Sequence, residues 1–163
     1  MNINYEELKL HAIKLLEERG VKLIDIAKIT YELQKKYYSN LAIEECLEHV
    51  KNVLCKREVI NAIITGITID KLAEKGLIDE PLSSILLNDY SLYGIDEVLA
   101  YSIVNVYGSI GLTNFGYVDK VKLGIIGEID KNGKKEGVCN TFLDDIIGAI
   151  ASAAASRIAH TKQ

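Results

Sequence analysis

The sequence has no tryptophan, one proline, two phenylalanines and three cysteines in 163 residues. With a single proline and few stretches of alternating β-branched residues, little interrupts helical periodicity, and helix is favoured over sheet. Cys46, Cys55 and Cys139 are odd in number and irregularly spaced, which excludes a disulfide framework and suits reduced thiols in the cytoplasm. A formal charge of −4 leaves no basic excess, so nucleic acid is not the expected partner. There is no G-x-S-x-G, phosphate-binding glycine loop or cysteine phosphatase signature, and hence no local support for covalent serine or cysteine catalysis. Charges in helical rhythm from Glu6 onward do not make a secretory signal. The uncharged run from Val98 to Val118 carries Ser102, Asn105, Ser109, Thr113 and Asn114. That polarity reads as a buried helix followed by a loop rather than a membrane span.

What is present is an apolar, helix-forming chain of a length that suits one domain over residues 1–163. The spacing predicts helices over residues 4–19, stopped by Gly20, and from Leu23 to Tyr37. A long third helix is expected from an Asn40 cap to Thr65-Gly66, and a short one from Asp70 to Lys75. The next should begin just after Gly94 and run through Ile110. Gly108, Gly111 and Gly116 should break up the segment at and beyond its end. Residues 121–129 suit a strand or a loop equally, and Asp130-Lys131-Asn132-Gly133 reads as a turn. Asn140 or Thr141 should cap a last helix rich in glycine, alanine and serine, small enough on all sides to be the centre of an all-α bundle.

Two acidic doublets stand apart from the others. Asp96-Glu97 and Asp144-Asp145 are flanked by apolar residues, and each is expected in the first turn of a helix. Such acids can serve the helix dipole alone. A carboxylate in apolar surroundings otherwise needs a cation or several donors. If the doublets converge, four oxygen-rich side chains suit Mg2+. Lys120 and Lys122 come after the uncharged run and could recognise a phosphate or merely belong to a polar loop. Arg57, on the inner side of the long helix, could clamp a phosphate, pair with a buried acid or reach solvent. Cys46 and His49, one turn apart, raise zinc, but no second paired spacing accompanies them.

Taken in order, Tyr93-Gly94-Ile95-Asp96-Glu97, Asp119-Lys120-Val121-Lys122-Leu123-Gly124 and Leu143-Asp144-Asp145-Ile146-Ile147-Gly148-Ala149-Ile150 resemble the phosphatidylglycerophosphatase A family. They look closest to its short soluble branch from Gram-positive bacteria, over residues 43–160. The resemblance implies an all-helical domain and Mg2+-dependent hydrolysis of phosphatidylglycerophosphate to phosphatidylglycerol. It implies Asp96, Glu97, Asp144 and Asp145 as metal ligands, with Asp96, Asp144 and Asp145 catalytic. Lys122 matches a lysine that the family usually follows with Pro-Gly, although Leu123 stands here in place of the proline. With Arg57, Lys122 is the candidate to neutralise the phosphate charge. The family's N-terminal glycine- and threonine-rich motif is reduced to Thr65-Gly66. These departures leave open a soluble phosphomonoester as substrate, or a non-catalytic oligomer with a structural metal site. The expected partners are a phosphorylated lipid head group or small phosphomonoester, a second copy of the chain, and at most a peripheral membrane contact.

Overall fold

The computed structural model describes residues 4–162, and every secondary-structure element among them is helical. Helix α1 spans Tyr5–Glu18, α2 Leu23–Gln34, α3 Ile43–Val53, α4 Arg57–Glu74 and α5 Leu82–Leu87. Helix α6 spans Ile95–Val104, α7 Gly108–Val121, α8 Ile125–Gly133 and α9 Leu143–Thr161, with a 3-10 turn at Asn105–Tyr107. Gly20 ends the first helix with φ +81°, a conformation that suits glycine.

The expected long third helix is two. An inner stripe of Cys46, Val50 and Val53 would next place Lys56 or Arg57 in the core. The chain breaks there instead: Lys56 is extended, Leu54 turns inward, and α4 restarts the stripe with Val59, Ile60, Ile63 and Ile67. Helix α4 then runs through the segment expected as a separate short helix. Asn40 caps nothing, since α3 begins after Ala42.

Gly108, with φ +76°, does mark a break, between the 3-10 turn and α7, but Gly111 and Gly116 do not interrupt α7. Phe115 and Val118 bury themselves against α9, and that packing outweighs the glycines' poor helix propensity. Residues 125–133 are helical rather than strand, loop or turn, because Ile126 and Ile129 share one buried face. The uncharged run is therefore neither a single helix nor a loop, but a helical hairpin of α6 and α7 joined by the 3-10 turn.

Helix α9 is the axis of the bundle, packed on by α2, α3, α4, α6, α7 and α8. Every residue from Leu143 to Ser156 is buried. Its small residues are thus consumed by contacts within one chain and leave no face for subunit packing. Gly66 marks the closest approach: a Cβ there would lie 2.5 Å from Ile146 Cδ1 and 2.8 Å from Leu99 Cδ2. No helix among the described residues is long and apolar enough to cross a membrane.

Candidate functional site

Both doublets do fall in first turns, Asp96-Glu97 in α6 and Asp144-Asp145 in α9. The start of α9 is fixed from a distance. Neither Asn140 nor Thr141 caps it: the Asn140 amide donates to Ile129 O, and the Thr141 hydroxyl to Leu86 O. The cap is Asp70, from the interior of α4, whose carboxylate accepts from the backbone N–H of Phe142 at 3.2 Å and of Leu143 at 3.1 Å. Burial pushes the Asp70 carboxyl up to about 7, against the pull of those amides, the Cys139 thiol and Arg19. Arg19, bidentate on Glu74 at 2.7 and 2.9 Å, also holds Asn140 and the Cys139 carbonyl. The approach to α9 is therefore tied to the ends of α1 and α4.

This frame brings Asp96, Glu97, Lys122, Asp144 and Asp145 to the lining of one cleft of about 410 Å³. Asp89, Asp119 and Lys120 join them, so six carboxylates face two ammonium groups. Lys122 sits at the C-terminus of α7 in a left-handed conformation, φ +50°. Its Nζ donates to Asp119 Oδ1 at 2.7 Å and to Asp144 Oδ2 at 2.9 Å. Burial alone would lower the lysine's pKa, but the charges and hydrogen bonds of Asp144 and Asp119 outweigh it and raise it. The ammonium stays charged.

The acids remain under-compensated. Burial raises the pKa of Asp144, with Lys122 pulling it back. Asp145 is raised by burial and then by the charges of Asp144, Asp119 and Asp96, and it has no ion pair among the described residues. Asp96 is likewise raised by burial, and its Oδ1 is buried without a hydrogen-bond partner. An orphaned buried acceptor and an unpaired buried acid are what a cation would satisfy. The donors are all hard oxygens, which fit Mg2+. No three His, Cys, Asp or Glu side chains among the described residues already form a closed ligand set. Lys122 Nζ bridges Asp119 and Asp144.

Arg57 is not part of this cleft. It opens α4, exposed, with its guanidinium 3.9 Å from the centre of the Tyr5 ring. Thirteen residues of helix separate it from Asp70, a rise of about 20 Å. The zinc possibility also finds no ligand set: Cys46 is buried, Cys55 is exposed, and His49 Nδ1 lies 2.8 Å from Arg157 Nη1. Sequence reasoning missed Asp70, Asp89 and Asp119. Asp70 had a readable signal, an acid in register with the buried stripe of Ile63, Ile67 and Ala73. Asp89 had none, lying in a loop with φ +45°.

The profile of the family described as phosphatidylglycerophosphatase A matches residues 22–160. YutG of Bacillus subtilis is 54% identical over 159 residues, 98% of this chain and 95% of that protein. A Bacillus stearothermophilus protein of solved structure is 58% identical, with TM-score 0.91 and 95% of each chain covered. The crystal structure of Bacillus subtilis YpjQ, assigned to DUF64, is 52% identical with TM-score 0.92, covering 98% of this chain and 97% of that one.

Proposed function

This chain belongs to the phosphatidylglycerophosphatase A family, and from that premise we propose that it is a metal-dependent phosphatase acting in the acidic cleft. The observation that carries the proposal is the charge imbalance there, six carboxylates against two lysines. A phosphate cannot enter such a cleft unless cations accompany it. Asp96, Glu97, Asp144 and Asp145 would hold Mg2+. When bound, Mg2+ would neutralise phosphoryl oxygens and lower the pKa of a water.

The chain's own groups account for the rest. Lys122 is already charged and directed into the cleft, and would exchange Asp144 for a phosphoryl oxygen as substrate arrives. Lys120, exposed at the same edge, would meet the outer oxygens. A water attacks phosphorus and gives its proton to a cleft carboxylate, Asp96 in this reading. The bond from phosphorus to the ester oxygen breaks, and the leaving alkoxide takes back the proton held by that carboxylate, giving an alcohol and inorganic phosphate and restoring the ionised acid.

By family, the substrate is phosphatidylglycerophosphate and the product phosphatidylglycerol. A soluble phosphomonoester is the second reading, favoured by the lack of a membrane-crossing helix among the described residues. Phosphate release from phosphatidylglycerophosphate and from glycerol 3-phosphate, with Mg2+ or with chelator, tests both. Release from the lipid only, dependent on Mg2+, supports the first reading, and preference for glycerol 3-phosphate supports the second. Absence of turnover on either, with metal bound, refutes the phosphatase assignment.

A further inference from the structure

The cleft has exposed apolar side chains in its lining, and others stand beside its lining residues on α6 and α7. Leu92 lines the cleft and is 98% exposed, and Tyr90 beside it is 56% exposed. Leu92 also has φ +66°, a left-handed conformation that leucine adopts only at a cost. It packs on nothing, so folding does not repay that cost. On α6, Ile95, Val98 and Tyr101 are exposed within one turn or so of Asp96 and Glu97. On α7, Tyr117 and Val121 are exposed within one turn of Asp119 and Lys120. The two helices are neighbours, with Tyr101 edge-on to Phe115 at 5.4 Å. The exposed faces near the cleft ends of the hairpin thus extend the apolar margin of the cleft.

We infer that this rim is a docking surface for a phospholipid bilayer, lowering the cleft onto phosphate groups at the membrane surface. The inference rests on the phosphatase reading for its purpose, and on the rim for its physics. Tyrosines suit the boundary between hydrocarbon and head groups, with Tyr90, Tyr101 and Tyr117 supplying amphipathic rings around the aliphatic Leu92, Ile95 and Val98. The hairpin carries no charge from Val98 to Val118, and exposed Glu97 and Lys120 at its cleft ends would stay among the head groups. A second copy of the chain is the poorer occupant, because seated on the rim it would cover the mouth of the cleft. The chain's net charge of −4 and its acidic cleft mean that attraction to anionic lipid does not drive docking, so salt should not release it.

Cosedimentation of the full chain with vesicles of equal parts phosphatidylcholine and phosphatidylglycerol tests this, with glycerol 3-phosphate hydrolysis measured alongside. Val98→Ser with Tyr117→Ser, and separately Leu92→Ser, remove apolar surface without adding charge. Each is expected to weaken vesicle binding at least about tenfold, with binding by the unaltered chain unchanged in high salt. The double variant, outside the cleft lining, should retain its melting temperature and any hydrolysis of the soluble ester. Vesicle binding is read without turnover, so a chain that binds but hydrolyses nothing refutes the phosphatase and not the docking surface. Failure of the unaltered chain to sediment, equal binding by the variants, or release by salt each overturns the inference. So does a dimer in sedimentation velocity that the double variant converts to monomer, since the rim is then a subunit contact.

Discussion

Lys122 is the residue on which the cleft's electrostatics turn. It is held at 2.7 Å from Asp119 and 2.9 Å from Asp144, and is the nearest counter-charge to an acid pair that burial leaves reluctant to ionise. Replacing Lys122 with methionine keeps the length of the stem and removes the charge. Steady-state kinetics should then show kcat/KM falling by about a hundredfold or more, the usual loss when a donor to a developing phosphoryl charge is removed. Arg57→Met should leave the same parameter within about twofold, because that guanidinium stacks on Tyr5 far from the cleft. Both lysine and arginine were readable as phosphate candidates. Only the lysine lines the cleft, because position along α4 takes Arg57 elsewhere, and the sequence does not reveal that the helix restarts there.

At the level of elements, what was legible came from periodicity. Helix α1, the start of α6 and the buried α9 all announce themselves through apolar spacing and small-residue content. The errors were at punctuation. Glycines in α7 and the Asp130–Gly133 run resemble breakers, yet burial of Phe115, Val118, Ile126 and Ile129 holds both segments helical. The cap of α9 was illegible locally because Asp70 is 72 residues from Phe142. The Thr65-Gly66 remnant proves to be a packing feature, the point where α4 meets α6 and α9. Gly66→Ala would force Ile146 and Leu99 aside and should destabilise the fold by about 1–3 kcal/mol. Gly116→Ala, with nothing within 4 Å of its Cβ and helical backbone, should instead stabilise by about 0.5–1 kcal/mol. Urea denaturation of the pair checks both signs, and equal effects would contradict the packing described for α4.

The molecule as a whole carries a pH signature set by its buried acids. Asp70, Asp89, Asp96, Asp144 and Asp145 all have pKa values raised by burial, Asp70 to about 7. The unfolded chain releases these protons near about pH 4, whereas the folded chain keeps them to higher pH. Between those limits the folded state binds more protons, so stability falls as pH rises. Glu74, lowered by Arg19 against the effect of burial, contributes in the opposite sense, but its contribution is lost only in acid. His49, lowered by burial and then by Arg157, opposes the trend near neutrality as one group against five. Thermal melting should therefore move downward from about pH 5 to about pH 7. Mg2+ should reverse much of that fall, since it binds the ionised acids and stabilises only the folded state. A melting temperature that climbs across this range would show the acids to be already compensated.

All of this turns on whether the two carboxylate doublets form one divalent-cation site. Electron paramagnetic resonance of Mn2+, standing in for Mg2+, reads that occupancy without substrate. The ion is titrated with the protein and with Asp145→Asn, a change that keeps the side-chain shape and removes one charged oxygen. Saturable loss of the free-ion signal is expected with the unaltered protein, and binding at least about tenfold weaker in the variant. Unbound Mn2+ in the presence of the unaltered protein, or equal binding by the two, would contradict a shared site.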